Sequence, residues 1–207
     1  MQTLLHFNFP KNILLASASP RRAELLRMLS FDFRIVENQF DEHNFSFETE
    51  NRAEELAVAK AENYLDKHGI FEDDLLITAD TTVQLDEFFF NKPRNAEEAK
   101  SFLRTLSGVT HKVTSGVAIY TKEQKIAFSD HTLVTFKDLS EAEIDFYVEN
   151  FFPLDKAGAY GIQEWIGTIG IEKIEGSYYT VMGLPTHLVN NALMHIKKDI
   201  KVQKVNA

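Results

Sequence analysis

The sequence contains no cysteine. That excludes a disulfide framework, a zinc-thiolate site, an iron-sulfur cluster and a cysteine nucleophile. It suits a reducing compartment, so a cytoplasmic location is the expectation. Proline is scarce, with five residues in 207, and tryptophan is single. No repeat, low-complexity tract or linker divides the chain into independent domains. Hydrophobic runs are short, and none reaches the roughly 18 residues that a membrane-spanning helix requires. The stretch from Met1 to Pro20 has no basic region ahead of its apolar residues, and Pro10 with Lys11 interrupts it, so it does not read as a signal peptide. Positive charge is in deficit: 22 Lys and Arg stand against 31 Asp and Glu, for a net charge of −9. Such a field repels a long nucleic acid over most of the surface, and a polyanionic ligand must meet a local basic pocket.

What is present is ordinary globular composition, 44% hydrophobic and 26% charged, in a length that suits one domain or two lobes sharing a cleft. The expectation is a single domain over residues 1–207, ordered from about residue 12 to residue 200. The run Asn12 to Ser17 reads as a buried strand. Ser19-Pro20 starts a helix with Leu25, Leu26 and Leu29 on one face. A second strand is expected over Phe33 to Glu37, followed by an irregular polar segment from Asp41 to Glu50. Residues 51–68 carry Ala53, Leu56, Ala57, Tyr64 and Leu65 on one stripe and stop at Gly69, which predicts a long helix. Leu75 to Ala79 is a buried-strand run expected to end at Asp80, with a second extended stretch to Leu85 and an acidic turn at Asp86-Glu87.

Asn95 with Glu98 reads as a capping box for a helix reaching Gly108, and Ser140 with Glu143 for one reaching about Glu149. Two antiparallel strands, His111 to Tyr120 and Lys125 to Phe136, flank a turn at Thr121–Gln124. Lys156-Ala-Gly-Ala-Tyr-Gly-Ile-Gln163 is too glycine-broken for a helix and reads as a shaped loop. Residues 165–174 read as strand, Gly183-Leu-Pro185 as a break, and the last segment as an amphipathic helix on Leu188, Val189, Ala192, Leu193 and Ile196.

Several constellations could carry chemistry. Ser17-Ala-Ser19-Pro-Arg21-Arg22, between a strand and a helix start, offers hydroxyls, guanidiniums and backbone N-H groups suited to phosphate oxygens. The same residues also make a plain N-cap followed by surface arginines. Neither a Walker A loop nor G-x-G-x-x-G is present. In Thr78-Ala-Asp80-Thr81-Thr82, a strand-end carboxylate among hydroxyls can hold a divalent cation or accept a proton from water, or simply form a turn. Glu42 is a candidate second carboxylate. Lys60 interrupts the small apolar surroundings of Ala57, Ala59 and Ala61, so its ammonium either faces a cleft or snorkels. Lys92, before Pro93, suits a phosphate ligand or a hairpin exit. Gln163 offers a donor and an acceptor that complement the N3-H and carbonyl edge of uracil or thymine, the alternative being a solvent-facing turn residue. The seven histidines show no H-E-x-x-H spacing, which leaves oxygen-liganded Mg²⁺ or Mn²⁺ as the only metal the sequence suggests.

Taken in order, Ser17-Ala-Ser-Pro-Arg-Arg22, Ala79-Asp-Thr81, Lys92-Pro93, Lys156 to Gln163 and Gly176-Ser-Tyr-Tyr-Thr-Val-Met-Gly-Leu-Pro185 resemble the Maf family of nucleoside triphosphate pyrophosphatases. The resemblance runs from about Ile13 to the last helix. It implies an inosine-triphosphatase-like α/β fold, a mixed sheet flanked by helices with two lobes around a central cleft. The implied reaction is divalent-cation-dependent hydrolysis of a nucleoside triphosphate to the monophosphate and pyrophosphate. By matching position Asp80 resembles the proton acceptor, and Arg21, Thr81 and Gln163 match positions linked to substrate choice. Glu42, Lys60 and Lys92 match the acidic and basic residues of the cleft. The Lys156 to Gln163 string resembles the dTTP/UTP-preferring branch, with Glu164 standing where glycine is usual.

The expected site therefore comprises Ser17, Ser19, Arg21, Arg22, Lys60, Thr81, Lys92 and Gln163 for the nucleotide, with Asp80 and Glu42 for Mg²⁺ or Mn²⁺. Homodimerisation is a further implication of the resemblance. Two alternatives stay open at this stage: the same chemistry on another base such as CTP or 7-methyl-GTP, and a nucleotide-binding regulator of septum formation.

Overall fold

The computed structural model describes residues 12–41 and 51–205, with side chains as far as Lys197. Glu42 and the rest of the polar segment to Glu50 lie outside the described residues. In chain order the elements are β1 (Asn12–Leu15), α1 (Pro20–Met28), β2 (Phe33–Ile35), α2 (Arg52–His68), β3 (Asp74–Leu85), β4 (Phe88–Phe90), α3 (Ala96–Leu106), β5 (Thr110–Tyr120), β6 (Lys125–Phe136), α4 (Glu141–Phe151), α5 (Trp165–Gly170), β7 (Ile171–Glu175), α6 (Tyr178–Met182) and α7 (Thr186–Val205). The strands form one seven-stranded sheet in the order β2-β1-β3-β5-β6-β7, with β4 paired to β3. Pairing is parallel for β1 with β2 and β3, and antiparallel for β3–β4 and β6–β7. This is the mixed α/β sheet that the sequence predicts. The chain divides into two compact units whose boundaries fall within β3, β5 and β6, at Asp80, Ser115 and Ser129.

The first unit (residues 1–80, 116–129 and 183–207) is built around a strand pair that is apolar on both faces. Ile13, Leu14 and Leu15 of β1 lie in register with Leu75, Leu76 and Ile77 of β3, and all six are buried. Strands covered on both faces by helices must be continuously apolar, which is why they carry no alternation. Ala57, Ala61 and Tyr64 of α2 pack with Leu14, Leu76, Ala118 and Tyr120 in a single cluster. The small residues let α2 lie close to the sheet. Gly116 is the extreme case, because a Cβ there would lie 2.2 Å from the backbone of Ala53. The stop at Gly69 has its reason as well: its φ is +67° and its N-H donates to Leu65 O at 2.7 Å, a left-handed termination that glycine adopts without steric cost.

The second unit (residues 81–115 and 130–182) opens with the hairpin β3–β4, turned at Asp86-Glu87 with Asp86 at φ +49°. Helix α4 starts with a reciprocal capping box between Ser140 and Glu143. Hydrogen bonds from Lys137 and Ser140 hold the Glu143 carboxyl down at about 2. A buried ring cluster joins His111, Phe136 and Tyr160. His111 Nε2 is 2.7 Å from the Tyr160 hydroxyl, whereas Nδ1 is buried without a hydrogen-bond partner. Burial pushes the His111 imidazole down to about 4, so the ring is neutral at pH 7.

The structure corrects five expectations. β3 does not end at Asp80 but runs unbroken from Asp74 to Leu85: Thr81, Thr82 and Val83 favour extension, and Asp80 gains a partner that a turn would not give it. β2 stops at Ile35 rather than Glu37. Residues 165–170 are helix rather than strand, because burial of Ile166 and the fit of Gly167, where a Cβ would lie 2.0 Å from Ile162 O, override the β propensity of Trp, Ile and Thr. Asn95 caps α3 through the N-H of Glu98, but the Glu98 carboxylate turns to Arg94, accepting from its backbone N-H at 2.6 Å and from its guanidinium, so the box is not reciprocal. Ser19 occupies the N-cap position of α1 but makes no side-chain capping bond.

Candidate functional site

In the first unit, alternation along β3 sends Thr78 and Asp80 towards α2. The Thr78 hydroxyl donates to Ala57 O at 2.6 Å, and the Lys60 ammonium donates to Asp80 Oδ1 at 2.5 Å. Lys60 is 9% exposed and Asp80 8%. Lys60 thus does not snorkel. Taking two charges out of water costs several kcal/mol per ion, so a buried pair of this kind is weak evidence for stability and stronger evidence for use. Oδ2 of Asp80 has no hydrogen-bond partner among the described residues, which leaves it two lone pairs for a water proton or a cation. The chain just before Glu42 is tied to the same helix. Asn38 donates to Lys60 O at 2.9 Å, Asn63 donates to Asn38 Oδ1 at 2.7 Å, and Lys67 donates to Gln39 O at 2.7 Å.

Also in this unit is the turn between β1 and α1. Ser17 Oγ accepts from the N-H of Ser19 at 3.2 Å and from Arg22 Nη1 at 3.3 Å, while Arg22 Nε donates to Gly183 O at 3.1 Å. Arg22 commits two of the five N-H donors of a guanidinium to holding the turn against the start of the last segment. Arg21 is half-buried. Two guanidiniums in the first turn oppose the helix macrodipole, at a cost of ~0.3–1 kcal/mol per charge, and no acidic residue in that turn relieves it.

In the second unit, the Thr81 hydroxyl lies 2.8 Å from Ser115 Oγ, and Ser115 Oγ donates to Thr180 O at 2.7 Å. The single Ser115 proton is spent on that carbonyl, so Thr81 is the donor to Ser115. Thr180 is itself tied to Asp130 Oδ2 at 2.5 Å. Lys92 is exposed, and Gln163 is exposed between a buried Ile162 and a half-buried Glu164. The geometry thus joins Lys60 to Asp80 and Ser17 to Arg22.

Sequence reasoning missed Ser115, Thr180, Tyr147 and Lys156 as supports of the candidate residues. Lys156 is 7% exposed and lies 2.7 Å from Asp155 and 3.1 Å from Glu164. Only the unusual Glu164 gave a signal in the sequence. Among the described residues no group of three or more His, Asp or Glu side chains is placed to hold a metal ion, and no helix is long and apolar enough to cross a membrane.

A dTTP/UTP pyrophosphatase of Porphyromonas gingivalis is 48% identical over 183 residues, covering 87% of this chain and 92% of the relative. One from Cytophaga hutchinsonii is 43% identical over 197 residues, 95% of this chain and 89% of the relative. One from Bacillus cereus is 44% identical over 191 residues, 92% and 98%. Among solved structures, a HAM1 protein from Coxiella burnetii matches at 17% identity with a TM-score of 0.38, covering 59% of this chain and 70% of that one. The family model described as Maf-like protein matches residues 12–196, which takes in every described candidate residue, and the chain belongs to that family.

Proposed function

We propose that this protein hydrolyses dTTP and UTP to the monophosphate and pyrophosphate. The observation that carries the reading is the buried Lys60–Asp80 pair, with one carboxylate oxygen held by the ammonium and the other available. The relatives named dTTP/UTP pyrophosphatase supply the substrate class. In this reading the Asp80 carboxylate orients a water molecule and takes its proton as the water oxygen bonds to the α-phosphorus. The bond from the α-phosphorus to the bridging oxygen breaks, and pyrophosphate leaves with the electron pair. Lys60 holds Asp80 in one rotamer, and Arg21, Lys92 and the turn braced by Ser17, Ser19 and Arg22 meet the triphosphate charge. Thr81 and Gln163 meet the nucleoside.

A resident metal held by protein side chains alone does not suit Asp80, which already gives one oxygen to Lys60. One carboxylate oxygen together with phosphate oxygens is, however, an ordinary donor set for Mg²⁺. The residues therefore fit a cation that arrives with the triphosphate, with Glu42 proposed as its second carboxylate. When bound, the cation neutralises phosphate charge and polarises the phosphoryl group.

The test is release of pyrophosphate and monophosphate from dTTP, UTP, CTP, GTP, ATP and 7-methyl-GTP with Mg²⁺ or Mn²⁺. Product from dTTP and UTP above the others is expected. Release mainly from another base would keep the chemistry and overturn the base assignment, and silence across the panel would overturn the enzyme.

A further inference from the structure

Gln163 is a solvent-exposed residue on a loop that is otherwise fastened down. Tyr160 and Ile162 are 5% and 6% exposed, and Gly161 is buried as well. The fastening comes from one hydroxyl and one carboxylate. Tyr147 of α4 is fully buried at 0% exposure, and its OH accepts the N-H of Gly161 at 3.0 Å while donating to Glu164 Oε2. Both capacities of that hydroxyl are spent within three residues of loop. The other oxygen of Glu164, Oε1, lies 3.1 Å from Lys156 Nζ, with 20% and 8% of the two side chains exposed. Lys156, Gly161 and Glu164 are thereby clamped to one another around Gln163. The Gln163 side chain folds back over the same glycine: a Cβ on Gly161 would lie 3.0 Å from Gln163 Nε2 and 2.8 Å from Glu164 Cδ.

We propose that Glu164 is a positioning residue for Gln163: bridging Tyr147 and Lys156, it fixes the loop so that the Gln163 amide meets the pyrimidine edge in one orientation. This rests on the reading of Gln163 as the residue that faces the base. An amide discriminates uracil from cytosine only if its oxygen and nitrogen are held the right way round, because a half-turn exchanges donor and acceptor. The exposed Gln163 side chain has no hydrogen-bond partner among the described residues, so where its amide is presented to a base depends on the loop backbone that carries it. Burying a carboxylate costs free energy, and in this loop each of its oxygens has a charged or hydroxyl partner. Glu164 thus acts as a brace, with Gly161 leaving the room for it.

The experiment compares kcat and KM for UTP, dTTP and CTP in the wild type, Glu164→Gln, Tyr147→Phe and Gln163→Ala, with amide hydrogen exchange at Gly161 as a readout independent of turnover. Glu164→Gln keeps an acceptor for Tyr147 but loses the charge for Lys156, whereas Tyr147→Phe releases Gly161. Both are expected to speed exchange at Gly161 and to lower the UTP-over-CTP ratio of kcat/KM by roughly 10-fold, chiefly through KM for UTP, as loss of supporting contacts commonly does. Gln163→Ala is expected to lower the ratio at least as far, with exchange at Gly161 unchanged. If Gln163→Ala lowers the ratio but Glu164→Gln and Tyr147→Phe reduce UTP and CTP turnover equally, the positioning role is overturned and base reading survives. If Gln163→Ala leaves the ratio unchanged, base reading itself fails and the positioning role with it.

Discussion

Among the described residues, each unit buries one lysine against a carboxylate, and the two pairs differ in how completely they are satisfied. In the second unit Lys156 meets both Asp155 and Glu164, and the remaining oxygen of Glu164 is taken by Tyr147. In the first unit Lys60 meets Oδ1 of Asp80, and Oδ2 has no partner among the described residues. Desolvation is costly in both places. Where both carboxylate oxygens of such a pair have partners the pair acts as a brace; an oxygen left open in a buried pair is a place for a ligand. The comparison separates a brace from the carboxylate proposed to take part in the reaction.

The largest effect that would break this comparison is on turnover. Asp80→Asn should lower pyrophosphate release by ~10²–10⁴-fold, the usual worth of a positioned general base. It should lower stability in urea by no more than about 1–2 kcal/mol, because an amide oxygen still accepts from Lys60. Near-normal turnover with an unchanged pH profile would remove Asp80 from the chemistry. The brace should respond the opposite way. Lys156→Met leaves the half-buried Glu164 carboxylate with its Tyr147 hydrogen bond but without its ammonium, and urea titration should register a loss of ~1–3 kcal/mol, with Lys156→Met/Glu164→Leu recovering most of it. A loss below 1 kcal/mol in the single variant would mean that Lys156 is solvated after all.

A smaller effect sharpens the contrast through pH. His111 sits neutral in the second unit, its pKa lowered by burial to about 4 from the ordinary value near 6.5. Between those values the unfolded chain binds the extra proton, so stability is fully present above about pH 6.5 and declines as pH falls towards 4. The total loss is up to ~3 kcal/mol. Thermal melts at pH 5 and 7.5 should show the decline in the wild type and a flatter profile in His111→Phe; an unchanged profile would place the pH dependence elsewhere. The smallest effect is local. Ser140→Ala removes the reciprocal cap of α4 and should cost about 1 kcal/mol, measured by the same melts, with the UTP-over-CTP ratio unmoved.

Much of the architecture was legible because its signals are short-range. The long helix ending at Gly69, the turn at Thr121–Gln124, where Thr121 N-H donates to Gln124 O at 2.8 Å, and the box at Ser140-Glu143 follow from spacing and capping alone. Failures came where a distant partner outweighed local preference. Asp80 reads as a strand end until Lys60 appears beside it, and Trp165 to Gly170 reads as strand until Ile166 is buried and Gly167 meets Ile162. Of the candidate site, the residue types and their order were visible, but their roles were not. Nothing local distinguishes Arg22, which braces Ser17 and Gly183, from Arg21 beside it. Nor could the sequence orient the Thr81 hydroxyl, whose direction depends on where Ser115 sends its only proton.

The sequence by itself determined the family, the mixed α/β character and the positions of most helices, because periodicity, capping and motif order are properties of neighbours along the chain. Only the tertiary structure decided which charges meet. Lys60 and Asp80 are twenty residues apart, and Tyr147 and Glu164 seventeen. Whether a buried charge is a liability, a brace or a reagent depends on the partners that folding brings to each of its atoms.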